Sequence, residues 1–383
     1  MSSRRLGDRI IRAVVRAFPR RPEAVGTSSA ARILVISTTA IGDTLLGTPA
    51  LRALKETYPD CLLEVLVHRD RLGVLQGNPH VDALIPYRKH LIGTPIMAAR
   101  LRQRRYDAVL VFHGNDPDIW PLAALTGAPR IIGYARDTRF SSLLTDAVPW
   151  QPDLHTVEKR LELVRVLGAD TADRRLILRL NDMDHDEARM FLDAVGGGQG
   201  DPLIAFHIGA AQPYKCWPAE RFARVADVLA RDYDARVVLT GGPGDKLRVA
   251  RFESQAHCRP LVAAGKLGVR GTAALLARCR LLITNDTGPM HLAFAVGTPT
   301  VSLFCPSDSR TIGPYACDDL HIAIQKEKTC VRCVTKRCPD PFCLEQISVE
   351  EVVEAARRQL ESRPAGIEMG AQLGDRLREG FRT

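Results

Sequence analysis

A chain of 383 residues is long enough for two ordinary domains, each with a sizeable core. Hydrophobic residues make up 45% of it and charged residues 25%, a folded soluble balance that excludes a disordered chain, and no run approaches the roughly 18 uncharged apolar residues of a membrane-spanning helix. The net charge of +9 predicts an anionic partner. Because aromatic residues are only 5% and are not interleaved with the basic clusters, we expect that this partner is not a nucleic acid.

Residues 1–30 form a basic amphipathic extension ahead of the first predicted strand. Read as a helix, the extension keeps its arginines off a single apolar stripe formed by Leu6, Ile10, Val14 and Phe18. This pattern is typical of a helix that lies in a membrane interface. It is equally typical of a solvated helix docked on its own protein, and the sequence leaves both interpretations open.

The next segments alternate between short apolar runs and polar loops that lead into helices, as in parallel α/β layers. The stretch RILVIS at 32–37 is a predicted strand, followed by a loop and a helix from about Thr44 through Lys55. The stretches LLEVLVH and YDAVLVF are further predicted strands.

Asp43 lies where the first loop enters its helix. A carboxylate at this position commonly caps the helix and complements its dipole. It could equally act as a general base at the end of a strand, because the positive end of a helix tends to keep it ionised.

A second set of alternating elements starts near Pro202. The strand LIAFHI is followed by the loop GAAQPYKCWP and the helix AERFARVADVLARDY, and the strand ARVVLT by the loop GGPGDK and another helix. Lys215, in the first of these loops, is either a solvated surface lysine or a point charge over a diphosphate. The pattern predicts two doubly wound domains that face each other across a cleft, with ligands at the carboxyl ends of the strands.

The stretch TNDTGPMHLAFAVGTPTVSLF, from Thr284 to Phe304, predicts a strand, a polar turn, a helix and another strand. Pro289 suits a first helical turn and Gly297 suits the helix end. The backbone N–H groups after Gly288 could hold an anion, with His291 facing the same space. The alternative is a polar cap on an ordinary helix.

Four cysteines near the C-terminus have the spacing C-x2-C-x4-C-x4-C: Cys330, Cys333, Cys338 and Cys343. Four thiolates so close together could hold zinc. The spacing is compressed for a zinc ribbon, so we favour reduced structural thiols or a redox-labile loop that needs no metal. No signal peptide precedes the ten cysteines, which predicts a cytoplasmic protein.

Several of these stretches together resemble glycosyltransferase family 9, the heptosyltransferases that build the inner core of lipopolysaccharide from ADP-heptose. The resemblance covers roughly residues 32 to 360, through the blocks ILVISTTAIGDTLLGTPALRALKETYPDCLLEVLV, FHIGAAQPYKCWPAERFARVADVL, LTGGPGDK and NDTGPMHLAFAVGTPTVSLFCPSDSRTIGPY. It implies a GT-B fold of two Rossmann-like domains, with a C-terminal helix crossing back to the first. The expected divisions are the extension at 1–30, an acceptor-side domain at 31–185, a nucleotide-sugar domain at 186–349 that includes the Cys-rich segment 330–343, and a helix and tail at 350–383.

The resemblance also implies the chemistry: an inverting transfer of a heptose or related sugar, with no metal and no other cofactor. Asp43 would be the general base on the acceptor hydroxyl, and Lys215 would contact the donor diphosphate and sugar. The turn formed by Asp286, Thr287 and Gly288, with His291, would hold the donor phosphates and sugar.

The implied acceptor is an anionic lipid-linked glycan, which would meet basic residues of the first domain; the candidates are Arg69, Arg71, Arg136 and Arg139. Such an enzyme would be cytoplasmic and could work at the cytoplasmic face of the inner membrane. Two alternatives stay open: a nucleotide-sugar epimerase or hydrolase on the same fold, and a non-catalytic protein that binds nucleotide sugars.

Overall fold

The computed structural model describes residues 31–88, 93–113, 118–135, 141–197, 200–316, 319–328 and 342–362. The chain divides into two compact units between Ile177 and Leu178. This division comes earlier than the boundary predicted after residue 185. The reason is that the helix Asp182–Ala194 packs against the helix Val269–Ala277 of the second unit.

In the part of the first unit that the structure describes, the strands are β1 (Arg32–Ser37), β2 (Leu62–His68), β3 (Ala83–Tyr87), β4 (Ala108–Val111), β5 (Arg130–Tyr134) and β6 (Asp146–Val148). They form one parallel sheet in the spatial order β3-β2-β1-β4-β5-β6. The central strand β1 is buried from Ile33 to Ser37. A strand covered on both faces needs a continuous apolar run, which is why RILVIS was recognisable from sequence alone.

The described residues of this unit also form the helices α1 (Ile41–Leu45), α2 (Thr48–Thr57), α3 (Leu72–Leu75), α4 (Gly93–Gln103), α5 (Ile119–Leu125) and α6 (Thr156–Arg165). The single helix predicted from Thr44 to Lys55 is therefore wrong, because α1 ends before Gly47 and α2 begins after it. A side chain at Gly47 would press on the ring of Phe112, since an added Cβ would lie 3.0 Å from that ring.

The second unit repeats the design with β7 (Leu203–His207), β8 (Arg236–Thr240), β9 (Leu261–Val262), β10 (Leu281–Asn285), β11 (Thr300–Phe304) and β12 (His321–Gln325). The parallel sheet has the order β12-β11-β10-β7-β8-β9. Its helices are α7 (Asp182–Ala194), α8 (Ala219–Tyr233), α9 (Lys246–Glu253), α10 (Val269–Ala277), α11 (Gly288–Val296), α12 (Ser309–Ile312) and α13 (Val349–Glu361). The predicted helix AERFARVADVLARDY matches α8 from its first residue to its last.

Helix α13 packs against α8 and against strands β10, β11 and β12 of the second unit. It begins with a capping box, in which the side chain of Ser348 accepts the N–H of Glu351 and the Glu351 carboxylate accepts the N–H of Ser348. Residues from 363 onward lie outside the described residues, so the predicted return of the C-terminal helix to the first domain stays a prediction. Among the described residues, no helix has the length and apolar character that a membrane span requires.

Each unit has its own apolar core. The core of the first unit joins Leu34 and Ile36 of β1 to the buried Trp120 of α5. The core of the second unit joins Phe206 of β7 to Phe222 of α8 and to α13. The predicted α/β fold with two doubly wound units is confirmed.

Both sheets share one strand order, in which the chain starts at the centre, moves to one edge, returns to the centre and moves to the other edge. The order reverses between β1 and β4 in the first unit and between β7 and β10 in the second. In open parallel sheets, ligands bind outside the carboxyl ends of the strands at such a switch point. The two switch points are therefore the expected ligand sites.

Candidate active site

Asp43 belongs to α1, immediately beyond the carboxyl end of β1 at the first switch point. It is the third residue of that helix, whose N-cap is Ala40 with no side-chain cap. The half-buried Asp43 carboxylate instead accepts a hydrogen bond from the hydroxyl of Thr39, with 2.8 Å between Thr39 Oγ1 and Asp43 Oδ2. Asp43 thus lies in the first turn of α1, at the first switch point, with its carboxylate bonded to Thr39.

His113 follows β4, the other strand of the first switch point, and was missed by the sequence analysis. The backbone N–H of Thr39 donates to His113 Nε2 at 3.3 Å, so the histidine and Asp43 both contact Thr39. Burial, with a smaller contribution from the charge of Arg160, lowers the pKa of His113 from 6.5 to about 4. A neutral ring that accepts at Nε2 carries its proton on Nδ1. The sequence signal that could have identified His113 is its position directly after a buried strand.

Arg160 of α6 is a second charged group missed from sequence. It is 5% exposed, and its guanidinium carbon lies 5.8 Å from the centre of the Phe112 ring. The charge of Asp43 acts on it, partly offsetting the decrease in its pKa that burial causes. Arginine in the interior of an amphipathic helix usually faces solvent, so its position on α6 gave no sign of this burial.

Two of the four arginines predicted to meet the acceptor can be placed. Arg69 and Arg71 lie in the short 3-10 helix after β2, where Arg69 is exposed with its Nε 3.9 Å from Asp70 Oδ1. Arg71 is half-buried, and its charge contributes to the lowered pKa of His113. Arg136 and Arg139 lie outside the described residues.

Lys215 and Asp286 come together at the second switch point. Lys215 lies at the end of a 3-10 turn in the loop after β7, and Asp286 follows β10. Lys215 Nζ is 2.5 Å from Asp286 Oδ2, and the hydroxyl of Ser307 donates to the same oxygen at 2.5 Å. Asp286 is 7% exposed, and its carboxylate is paired with the Lys215 ammonium group.

Asn285, the last residue of β10, holds the loop that carries Lys215. Its side-chain oxygen accepts the backbone N–H of Trp217 at 3.0 Å, and its side-chain nitrogen donates to the carbonyl of Gly209 at 3.2 Å. The asparagine is fully buried. Both ends of the loop are thereby tied to the end of β10, a role that the sequence analysis did not assign.

Thr287, Gly288 and His291 lie at the start of α11, directly after Asp286. Thr287 is the N-cap residue, without a side-chain cap, and Thr287 Oγ1 lies 3.4 Å from Thr284 Oγ1. The N–H groups of the first turn and the helix dipole favour an anion here. His291 is buried, with its ring centre 5.6 Å from that of Phe294 in an edge-on arrangement.

A buried polar cluster lies on the β8 side of the loop that carries Lys215. His207 ends β7, and its Nδ1 lies 3.1 Å from the hydroxyl of Thr240 at the end of β8. Burial lowers the pKa of His207 to about 4, so the ring is neutral near pH 7. Asp245 accepts the N–H of Gly242 at 2.9 Å and lies so close to Gly209 that a side chain there would collide with its carboxylate.

The Cys-rich segment falls almost entirely outside the described residues, including Cys330, Cys333 and Cys338. Cys343 is buried in the short 3-10 helix Phe342–Gln346 that precedes α13. In the described part of the chain, no three His, Cys, Asp or Glu side chains are grouped as metal ligands. The expectation of a site that needs no metal stays a prediction.

Comparisons with known proteins agree on one family. The family model described as glycosyltransferase family 9 (heptosyltransferase) matches residues 96–341. A lipopolysaccharide heptosyltransferase 3 of Escherichia coli is 32% identical over 288 residues, covering 70% of this chain and 81% of the relative. A lipopolysaccharide heptosyltransferase 2 of Salmonella typhimurium is 29% identical over 297 residues, covering 72% and 83%. The crystal structure of a family 9 glycosyl transferase from Veillonella parvula superposes with a TM-score of 0.79 at 29% identity, covering 89% of this chain and 100% of the other.

Proposed function

Because the chain belongs to glycosyltransferase family 9 and is a glycosyltransferase, we propose that it transfers a heptose from ADP-heptose to an acceptor of the lipopolysaccharide core. The observation that carries this proposal is the set of groups at the second switch point. A fixed ammonium group and the N-terminus of α11 lie together there, beside β7 and β10. This is the chemistry that binds a nucleoside diphosphate.

The donor diphosphate is proposed to bind between Lys215 and the first turn of α11. An ammonium group has three N–H donors, so the bond to Asp286 leaves two for phosphate oxygens. As the bond to the sugar breaks, negative charge accumulates on the departing ADP. Lys215 and the N–H groups after Gly288 would stabilise that charge, and such pre-positioned donors are most effective where charge develops.

Asp43 is proposed to be the general base. The acceptor hydroxyl oxygen attacks the anomeric carbon, its proton passes to the Asp43 carboxylate, and the bond from that carbon to the diphosphate oxygen breaks. A single displacement of this kind inverts the anomeric configuration. The hydrogen bond from Thr39 favours the ionised carboxylate, which is the form a base requires.

We expect the reaction to proceed without a bound metal, because Lys215 and the α11 N–H groups supply positive charge at the diphosphate. The acceptor is proposed to be an anionic lipid-linked glycan that meets Arg69 and Arg71, with Arg136 and Arg139 as further candidates. The net charge of +9 and the basic segment 1–30 support work at an anionic membrane surface on the cytoplasmic side.

The two alternative functions have less support. An epimerase or hydrolase would need the donor groups but no surface for an anionic acceptor, whereas the first unit carries Arg69 and Arg71 directly after β2. A non-catalytic binder would not need to keep Asp43, Lys215 and His291 together. The family relatives that match are heptosyltransferases.

The test is transfer by the purified protein from ADP-heptose to a Kdo-containing acceptor, followed by mass spectrometry of the product. Wild type should form the heptosylated acceptor, and Lys215→Ala should bind ADP about tenfold to a hundredfold more weakly, as expected for a lost charge-assisted contact. Lys246→Ala is the matched control, because this lysine is exposed at the start of α9. Absence of transfer, together with wild-type ADP affinity in Lys215→Ala, would refute the proposal.

A further inference from the structure

The guanidinium group of Arg160 is buried in the first unit. The residue is 5% exposed, and its Nε has no hydrogen-bond partner among the described residues. Burying a guanidinium is costly unless other groups compensate for its charge, so a cation kept in this position calls for a compensating group.

The position of the guanidinium is fixed by packing. Arg160 lies over the ring of Phe112, with 5.8 Å between the guanidinium carbon and the ring centre, which is cation–π geometry. On another side, Phe112 packs against Gly47, where any larger residue would push the ring. Phe112 directly precedes His113, so Arg160 is held next to the strand end that carries the histidine.

The charged and titratable groups around this point come from five elements. Asp43 of α1 stabilises the charge of Arg160, and the neutral hydroxyl of Tyr134 on β5 is a further titratable group beside it. Tyr134 in turn donates to Glu162, two residues after Arg160 on α6, at 2.9 Å. The other groups are His113 after β4 and Arg71 after β2, and Arg160 and Arg71 both disfavour a charge on the histidine.

We propose that Arg160 is a positioning residue of the transfer reaction: a buried cation that holds Asp43 as a carboxylate and His113 as a neutral ring. The proposal rests on the function assigned to Asp43 above. Its geometric basis is a chain of neighbours: Arg160 lies over the ring of Phe112, the residue before His113, and Thr39 donates its backbone N–H to His113 and its hydroxyl to Asp43. If His113 took up a second proton, Nε2 could no longer accept from Thr39, and the hydroxyl beside Asp43 would lose its support.

The first experiment measures kcat/KM for heptose transfer against pH. In Arg160→Gln, the acid limb of the profile should move to higher pH by about one unit, because removing a nearby cation makes a carboxylate easier to protonate. Arg160→Lys should restore most of the wild-type profile. Arg165→Gln is the matched control on the same helix, because Arg165 is paired with Asp170 and Glu158 at the surface, and its acid limb should stay in place.

A second variant identifies the group that titrates. His113→Gln cannot be protonated, so its acid limb should persist if Asp43 sets it. Loss of the acid limb in His113→Gln, or an Arg160→Gln profile that coincides with wild type, would overturn the proposal.

A measurement on the wild-type protein covers the case in which Arg160→Gln does not fold. The carboxyl carbons of Asp43 and of the exposed Asp60 are followed by NMR against pH, after assignment with Asp43→Asn and Asp60→Asn. Asp43 should become protonated below the pH range of an unperturbed aspartate, about 3.9, and protonation in or above that range would refute the role of Arg160. This readout needs no activity, so failure of wild type to transfer heptose would count against the proposed function alone.

Discussion

The backbone N–H of Trp217 donates to the side-chain oxygen of Asn285 at 3.0 Å. Trp217 lies two residues after Lys215, and its own indole N–H donates to the carbonyl of Ile347 at 3.1 Å. The loop that carries the ammonium group is therefore fixed on one side by the end of β10 and on the other by the segment before α13. Placement of Lys215 therefore depends on residues outside its own loop.

Replacement of Asn285 by alanine should weaken donor binding although no ligand contact is removed. The loop loses both of its hydrogen bonds to the Asn285 side chain. The backbone N–H of Trp217 and the carbonyl of Gly209 then lose that partner. We expect a decrease of about 1–3 kcal/mol in the free energy of unfolding and a loss of about tenfold in ADP affinity. Urea unfolding and calorimetry measure the two effects.

Asn181→Ala is the control for lost stability alone. Asn181 caps α7 in the same unit, so its loss should cost about 1 kcal/mol while ADP affinity stays at the wild-type value. Unchanged ADP affinity in Asn285→Ala would show that the loop does not need these two bonds.

Asp43→Asn should abolish most turnover and leave donor affinity unchanged. Asparagine is nearly isosteric and can still accept from Thr39, but an amide cannot take the proton of the acceptor hydroxyl. Loss of a general base costs on the order of 10²–10⁴ in rate. The donor groups belong to the second unit, so ADP binding measured by calorimetry should be retained.

Asp60→Asn, at an exposed position of the same unit, should behave as wild type. Near wild-type turnover in Asp43→Asn would exclude Asp43 as the base. Loss of turnover together with loss of ADP binding would instead indicate a wider structural change.

His207 should make the protein less stable as the pH falls from about 6.5 to about 4. Burial lowers its pKa from 6.5 to about 4, so in this interval the unfolded chain binds a proton that the folded protein does not. The contribution is fully present above pH 6.5 and decreases by about 1.4 kcal/mol per pH unit within the interval.

Urea unfolding of wild type and His207→Gln at about pH 7.5 and about pH 5.5 measures this contribution. Wild type should lose about 1 kcal/mol more than the variant between the two conditions. His185→Gln is the control, because the side chain of His185 is exposed on α7, and this variant should follow wild type. Equal losses in wild type and His207→Gln would contradict the assignment.

Deletion of residues 1–25 should leave activity in solution intact and weaken binding to anionic vesicles. We expect this because the deleted segment carries an apolar stripe flanked by arginines. The segment lies outside the described residues. Co-sedimentation with vesicles containing anionic lipid measures the effect, with neutral vesicles as the reference. Equal binding by the full and shortened chains would favour a helix docked on the protein itself.

The sequence predicted those features that local patterns encode. β1 and α8 were found because one is a continuous apolar run and the other an amphipathic helix with a clear beginning and end. Gly297 ends α11 as expected, with a positive φ of 76° that glycine adopts without strain. Asp43 and Lys215 were predicted because each lies in a polar stretch that follows a buried strand, and their roles stay predictions.

The residues that were missed depend on contacts between distant parts of the chain. Arg160 lies over the ring of Phe112, the residue before His113, although it belongs to a helix much later in the chain, and its position on that helix gave no sign of its burial. Asn285 was quoted within a polar turn, but its partners Gly209 and Trp217 belong to a different loop. Asp286 was expected at the donor phosphates, whereas its bond to Lys215 is visible only after β7 and β10 are paired.

The two separate cores have a consequence for heat denaturation. Since the core of each unit is built from that unit's own side chains, the protein is expected to melt in two calorimetric transitions rather than one. A ligand stabilises only the folded form to which it binds, so ADP should move one of the two transitions to higher temperature. The transition that moves would identify the unit that binds the donor. The transition that does not move would show whether the other unit, on the acceptor side, is still folded.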